Sequence, residues 1–237
     1  MKSIVVMPAI LNHEVRVTEL LGHLENHYLA NKEKNLYFAL IGAYKDSKYQ
    51  DEKENQQILH YAIHGVAELN KKYRNPSDEN GEEIFYFYHR RSVFNEVDKI
   101  WTGWERKRGA LMEFNEMLLG STTTSFIPYS GNQLKGADIK YIITLDADTI
   151  LPYDMALKMI GTMAHPLNLP IIDDERHIVV KGYGLMQPRV TFDMDSSNKS
   201  TFARIFTGMV GMDPYAGAVS DVYQDLFGEG IFTGKGI

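Results

Sequence analysis

Two aspartates one residue apart, Asp146 and Asp148, are the side chains best suited to chemistry in this sequence. They follow the apolar, β-branched run 141–145, which is typical of a buried strand in a sheet covered on both faces. Side chains alternate along a strand, so both carboxylates should share one side of it. Such a pair repels unless a cation lies nearby, and hard oxygen ligands suit Mg²⁺ or Mn²⁺. The pattern predicts a divalent-metal site. The alternative is a strand-ending turn in which one aspartate caps the next helix and the other is solvated.

The segment 101–111 offers charge of the opposite sign. It combines two tryptophans with Arg106, Lys107 and Arg108, and Gly109 follows where a helix is expected to begin. Backbone N–H groups and cations at a helix N-terminus bind anions. The segment therefore predicts contact with a diphosphate or a nucleotide. The alternative is a solvated basic turn packed on core tryptophans.

Apolar segments alternate with amphipathic ones along the chain. Strands are expected at residues 3–9, 36–42, 84–88 and 141–145, and helices at 15–29, 51–73, 106–119 and 153–164. This alternation predicts an α/β fold with a mostly parallel sheet flanked by helices. Ligands of such sheets bind at the carboxyl ends of the strands, where the polar side chains of Asp46, Arg90, Arg91, Asp146 and Asp148 all fall. No internal repeat or linker is visible, so residues 1–237 should form a single domain.

The composition of the 237 residues excludes several classes of protein. A net charge of −6 carries no nucleic-acid footprint. The absence of cysteine excludes disulfides, thiolate nucleophiles and cysteine-ligated metals. No apolar run approaches the roughly 20 residues that span a bilayer, and no signal-peptide pattern is present. The chain as given is expected to be a soluble piece.

Two later segments carry polar groups beside glycines. Residues 183–190 predict a strand on which Gln187 and Arg189 share a side, with a polar edge strand as the alternative because Pro188 cannot donate a hydrogen bond. Residues 228–236 contain four glycines, which would let the backbone approach a ligand closely or would form a flexible end.

These segments together resemble a known family. The family is the cyclic β-1,2-glucan synthases, whose glycosyltransferase module (glycosyltransferase family 84) these segments resemble. The resemblance is carried by residues 104–108, 144–149, 161–168, 182–190, 213–216, 218–230 and 233–236. The resemblance implies a GT-A-like three-layer sandwich and a transfer reaction that inverts the anomeric centre. It would transfer glucose from UDP-glucose, with Mg²⁺ or Mn²⁺, to the 2-hydroxyl of a growing β-1,2-glucan. It also implies that the chain is an excised, C-terminally truncated part of a larger enzyme. That enzyme would have membrane-spanning and phosphorylase-like modules and would work at the cytoplasmic face of a bacterial inner membrane.

The resemblance assigns roles to individual residues. Three residues would cradle the uridine: Pro8, Ala9 and Asp46. The nucleotide and its phosphates would contact Lys107, Arg108 and Gly109. Asp146 would approach the ribose and the metal, and Asp148 would act in catalysis through the metal that bridges the diphosphate. The sugar and the acceptor would face Gln187, Gly228, Glu229, Gly230, Gly234 and Lys235.

No residue of the sequence stands out as the general base of the transfer. Asp221, Asp225 and Glu229 are candidates by position, and the resemblance places the base beyond Ile237. The chain is therefore expected to bind donor and to transfer poorly. Two other classes stay open: a nucleotide-sugar- or glycan-binding module without turnover, and a haloacid-dehalogenase-type phosphatase, which also carries Asp-x-Asp after an apolar strand.

Overall fold

The computed structural model describes residues 1–50, 53–73, 83–127, 134, 139–188 and 226. The chain divides into two compact units, residues 1–169 and residues 170–237. The single domain expected over residues 1–237 stays a prediction.

A parallel sheet is the centre of the first unit. In chain order its elements are β1 (Lys2–Leu11), α1 (Glu14–Ala30), β2 (Leu36–Tyr44), α2 (Lys53–Tyr73), β3 (Phe85–Arg90), β4 (Val93–Asn95), β5 (Ile100–Thr102), α3 (Arg106–Leu118), β6 (Ile139–Thr144) and α4 (Met155–Met163). Four strands pair in the spatial order β3-β2-β1-β6, and all three pairings are parallel. The predicted α/β fold is confirmed. Because the strands run in one direction, their carboxyl ends meet at one edge of the sheet.

One face of the sheet is covered by α1 and α2. Phe38 of β2 and Phe85 of β3 are neighbours in register and point to this face. The ring of Tyr28 in α1 lies edge-on to both, with centroids 5.8 Å from Phe38 and 5.2 Å from Phe85. Tyr73 of α2 adds a ring 6.0 Å from Phe85. These aromatic contacts fix two helices against the sheet.

The opposite face is covered by α3. Val6, Ala39 and Tyr86 pair in register one residue further along their strands, so they point to the other side. There they form a buried cluster with Ala110 and Phe114 of α3. The four-stranded sheet thus lies between helices on both faces, as a three-layer arrangement requires.

A hairpin that the sequence patterns did not predict precedes α3. β4 and β5 pair antiparallel, and Lys99 turns between them with a φ of 55°. Backbone hydrogen bonds of 3.0 and 2.7 Å join Ser47, just past β2, to Trp101 of β5. The hairpin therefore holds the segment leading into α3 at the carboxyl end of β2.

The second unit contains a hairpin of β7 (Ile171–Asp173) and β8 (Ile178–Lys181). The strand expected over 183–190 is wrong where it is described. β8 has already ended, Gly182 has a φ of 73°, and residues 183–188 are irregular. Pro188, which lacks an N–H, fits that irregular path.

No helix in the part of the chain that the structure describes is long and apolar enough to cross a membrane.

Candidate functional site at the carboxyl edge of the sheet

Asp146 and Asp148 lie in a turn that follows β6, here called the acidic turn (residues 145–149). The amide of Leu145 still donates to the carbonyl of Val6 at 2.9 Å, and the amide of Thr149 then closes the turn on the carbonyl of Asp146 at 3.0 Å. Asp146 is partly exposed and Asp148 is exposed. β6 ends at Thr144, before either aspartate, so strand alternation does not set their orientation, and their place on one side stays a prediction.

Neither aspartate caps the next helix. α4 begins at Met155, and its N-cap residue, Asp154, makes no side-chain cap bond. The amide of Ala156 donates instead to Oδ1 of Asn31 at 2.9 Å. The alternative in which one aspartate of the pair serves as a helix cap is therefore wrong.

Lys107 brings the basic segment to the acidic turn. Its Nζ forms a short ion pair with Oδ1 of Asp146, and the two side chains are 35% and 40% exposed. The ammonium offsets the repulsion between Asp146 and Asp148. At this exposure the pair adds at most about 1 kcal/mol to the free energy of unfolding. Its main effect is to place a positive charge at the acidic turn.

Asp46 belongs to a second network at the same edge. Its Oδ2 accepts from Nη2 of Arg106 at 2.6 Å, and its Oδ1 accepts from the hydroxyl of Thr102 at 2.6 Å. The carboxylate therefore joins the end of β2 to β5 and to the start of α3. Each oxygen keeps a further lone pair, so Asp46 can still accept from a ligand.

Arg90 holds the backbone of this edge from the interior of the protein, and its side chain is not exposed at the edge. Its side chain is fully buried, and its Nε donates to Glu113 at 3.1 Å. The other end of the guanidinium donates to two carbonyls, that of Arg106 at 3.0 Å and that of Trp104 at 2.8 Å. The prediction that Arg90 lies at the strand end is confirmed, yet its donors hold the turn into α3.

That turn has an unusual backbone. Glu105 and Arg106 have φ values of 51° and 44°, in the left-handed region that few non-glycine residues adopt. Arg108 is exposed, with Nη1 4.0 Å from Glu105. Trp104 is 44% exposed, so the alternative of a basic turn on core tryptophans does not describe this tryptophan.

Replacing Gly109 with alanine is expected to displace the turn. A Cβ there would lie 2.1 Å from the carbonyl oxygen of Trp104 and 2.7 Å from its ring. Since that carbonyl also accepts from Arg90, we expect a loss of about 1–3 kcal/mol in the free energy of unfolding, measured by urea titration.

Gly22→Ala is the matched control, because Gly22 lies inside α1 and nothing stands within 4 Å of its added Cβ. Alanine there should stabilise the helix by roughly 0.5–1 kcal/mol. Equal effects of the two substitutions would contradict the close contact at Gly109.

The remaining predicted site residues are distributed unevenly. Pro8 and Ala9 are partly exposed at the end of β1, in register with Ile41 and Gly42. Gln187 is half-buried in the irregular segment of the second unit. Several predictions fall outside the described residues and stay predictions: Arg189, Asp221, Asp225, Gly228, Glu229, Gly230, Gly234 and Lys235.

The residues that would hold a metal at this edge are the two aspartates of the acidic turn. Among the described residues no group of three His, Asp or Glu is arranged to hold an ion. Mg²⁺ and Mn²⁺ keep several waters and take phosphate oxygens, so two carboxylates suffice when the substrate supplies the rest. The donor set of Asp146 and Asp148 fits a cation that arrives with a diphosphate.

Sequence reasoning missed three polar residues that contact the chain after β6. His23, His27 and Asn31 all bond to the chain between Ala147 and Ala156. Their spacing of four was the available signal, since it places polar side chains in one row on a helix.

The chain belongs to the class of α/β proteins with a mostly parallel sheet flanked by helices, in which ligands bind at the carboxyl ends of the strands, and here that edge carries acidic and basic groups. The chain is 42% identical over all its 237 residues to the cyclic β-(1,2)-glucan synthase NdvB of Rhizobium meliloti (strain 1021). The predicted resemblance to a module of such a synthase is thereby confirmed. The chain spans 8% of that relative.

No protein-family model matches the chain. The assignments to glycosyltransferase family 84 and to the GT-A type therefore stay predictions. Two solved structures overlap with 41% of this chain: a trehalose-6-phosphate structure from E. coli with UDP-2-fluoro glucose, and an apo structure of OtsA. Their sequences are 14% and 13% identical to this chain, and the overlap takes in 21% and 20% of the solved chains. The TM-scores of 0.26 and 0.25 are too low to support an argument.

Proposed function

We propose that the chain is the donor-binding part of an inverting, metal-dependent glucosyltransferase. It would transfer glucose from UDP-glucose to the 2-hydroxyl of a growing β-1,2-glucan. The observation that carries the proposal is the meeting of Lys107 with Asp146, beside Asp148, at the carboxyl edge of the sheet. The identity with part of a glucan synthase supports the sugar chemistry.

The charges at this edge suit a diphosphate. When donor enters, Lys107 would exchange Asp146 for a phosphate oxygen, since a diphosphate attracts an ammonium more strongly than one carboxylate does. Asp146 and Asp148 would then be free to hold Mg²⁺ or Mn²⁺. A divalent cation, when bound, neutralises charge on the departing UDP. Asp46, which bonds to Arg106 at the same edge of the sheet, would take the uridine end of the donor.

Other parts of the reaction belong to the same proposal. The acceptor glucan would meet Gln187 and the glycine-rich segment 228–236, and the general base would be Glu229 or a residue beyond Ile237. The chain spans 8% of its relative. We propose that the whole enzyme carries further modules, membrane-spanning and phosphorylase-like, and works at the cytoplasmic face of the inner membrane.

Asp148→Ala is expected to abolish the gain in UDP-glucose affinity that Mn²⁺ provides. Asp148 is exposed at the acidic turn, so its loss should leave the fold intact and remove one of two protein ligands to the cation. We expect at least about tenfold weaker binding with Mn²⁺ by calorimetric titration.

Glu33→Ala serves as the control, because it removes an exposed carboxylate that precedes β2 at the amino edge of the sheet. Its titration should match wild type. Metal-dependent binding without transfer would support the binding-module alternative. Wild-type protein that melts cooperatively and binds no UDP-glucose with Mn²⁺ would overturn the proposed donor site.

A further inference from the structure

Three polar side chains form one row along α1 and its C-cap residue, here called the α1 stripe (His23, His27 and the C-cap Asn31). They are four residues apart, which places them on one side of the helix. His27 and Asn31 are 3% and 2% exposed, and His23 is partly buried. A buried polar row on a helix that otherwise packs Val17, Leu20 and Leu24 requires partners.

The partners lie in consecutive order along the chain that follows β6. Nδ1 of His23 lies 2.9 Å from the carbonyl oxygen of Ala147, and it is the donor because a carbonyl only accepts. Nδ1 of His27 accepts a long hydrogen bond of 3.5 Å from the amide of Leu151.

Asn31 closes the row with both ends of its amide. Its Nδ2 donates to the carbonyl of Pro152 at 3.1 Å, and its Oδ1 accepts from the amide of Ala156 at 2.9 Å. The amide of Asp154 also donates to the carbonyl of Ala30 at 3.1 Å. The stripe thus fastens the chain from Ala147 to the first turn of α4.

Asp148 lies inside this fastened stretch, directly after Ala147. Its carboxylate makes no hydrogen bond to another described residue, and the turn has one hydrogen bond of its own, between Thr149 and Asp146. The backbone of Asp148 is therefore held chiefly through its neighbours. A ligand must be placed to within a fraction of an ångström to serve a cation with strict geometry such as Mg²⁺.

We infer that the α1 stripe is a set of positioning residues, which hold Asp148 where it can bind the cation of the donor complex. This inference rests on the proposed function. His23 is the member closest to Asp148 in the chain, and it acts through the carbonyl of Ala147. His27 and Asn31 secure the far end of the same stretch.

The protonation of His27 agrees with this role. Nδ1 must carry a lone pair to accept from Leu151, so the ring is neutral with its proton on Nε2. Burial, and secondarily the charge of His23, lowers the pKa of His27 to about 4, which keeps that lone pair at neutral pH.

Hydrogen exchange tests the anchoring without any ligand. In His23→Leu the amides of residues 147–151 should exchange about fivefold faster, the factor that one neutral hydrogen bond is worth, while β1 and β2 keep their protection. His23→Asn should restore slow exchange, because the asparagine amide can take the place of Nδ1.

Thr18→Ala is the control within α1, since it removes the hydrogen bonds of the Thr18 hydroxyl to the carbonyl of Glu14 at 3.0 Å and to the hydroxyl of Tyr61 at 2.9 Å. It should leave residues 147–151 unchanged. Unchanged exchange in His23→Leu, or equal acceleration throughout β1 and β2, would overturn the anchoring.

Titration of UDP separates the inference from the proposed function. The gain in affinity from Mn²⁺ should shrink severalfold in His23→Leu and return in His23→Asn, with metal-free UDP affinity unchanged in both. A full gain in His23→Leu would overturn the positioning role. No gain in wild type would overturn the proposed function and with it the metal role of the stripe, while the exchange rates would still decide the anchoring.

Discussion

Arg90→Met is expected to lower the free energy of unfolding by about 3–5 kcal/mol, because it breaks a buried charge pair from one side. The guanidinium is fully buried and pairs with Glu113, whose side chain is 14% exposed. Its loss would also strand the carbonyls of Trp104 and Arg106 without their donors. Urea unfolding followed by circular dichroism would measure the change.

Arg91→Met is the matched control, since the neighbouring arginine is exposed and its amide, not its side chain, bonds to Ser125. Its effect should stay within about 0.5 kcal/mol. The double variant Arg90→Met, Glu113→Met should recover part of the loss, because no unpaired carboxylate remains. A loss below about 1 kcal/mol in Arg90→Met would show that the pair does not hold the turn.

The position of Arg90 links the fold to the proposed chemistry. The turn that it holds carries Arg106, which bonds to Asp46, and leads to Lys107, which bonds to Asp146. The hydrogen bonds of the buried Arg90 to this turn thus place two cations at the carboxyl edge. In the proposed function both cations would already lie at this edge when a diphosphate enters, and Lys107 would exchange Asp146 for a phosphate oxygen.

The position of Asp46 and Asp146 at one edge of the sheet could be predicted from the sequence. Alternating apolar and amphipathic segments indicate a parallel sheet, and a parallel sheet brings its carboxyl ends together whatever the details of packing. Residues far apart in the chain, such as Asp46 and Asp146, therefore had to share an edge. This inference needed only the order of the elements.

The functions of Arg90 and His23 could not be predicted in the same way. An arginine after a strand has the same pattern whether its donors face a ligand or two backbone carbonyls. The difference depends on the left-handed residues Glu105 and Arg106, which sequence patterns do not reveal. The partners of His23 and Asn31 depend on how α1 packs against a loop more than a hundred residues away, a tertiary contact with no local signal.

Lowering the pH from about 7.5 to about 5 is expected to remove roughly 2 kcal/mol of stability for each of two buried histidines. Burial lowers the pKa of His27 and of His89 to about 4 in the folded protein. The unfolded chain takes up a proton at each site near the ordinary value of 6.5, whereas the folded protein does so only near 4. Stability is therefore complete above pH 6.5 and falls as the pH drops through this window.

His89→Phe separates the two contributions. The ring of His89 is fully buried, 4.2 Å from the ring of Tyr44, and its nitrogens have no hydrogen-bond partner among the described residues, so phenylalanine can fill the space. The variant should lose about half of the pH dependence between pH 7.5 and 5 in urea unfolding. Hydrogen bonds from Lys72 and Tyr73 lower the pKa of Glu25, so the stability it contributes is lost as the pH falls below the ordinary carboxyl pKa, under this window. Burial raises the pKa of Glu83, so Glu83 adds stability as the pH falls, and the comparison of His89→Phe with wild type cancels this term. An unchanged slope in His89→Phe would mean that His89 is protonated as readily in the folded protein as in the unfolded chain.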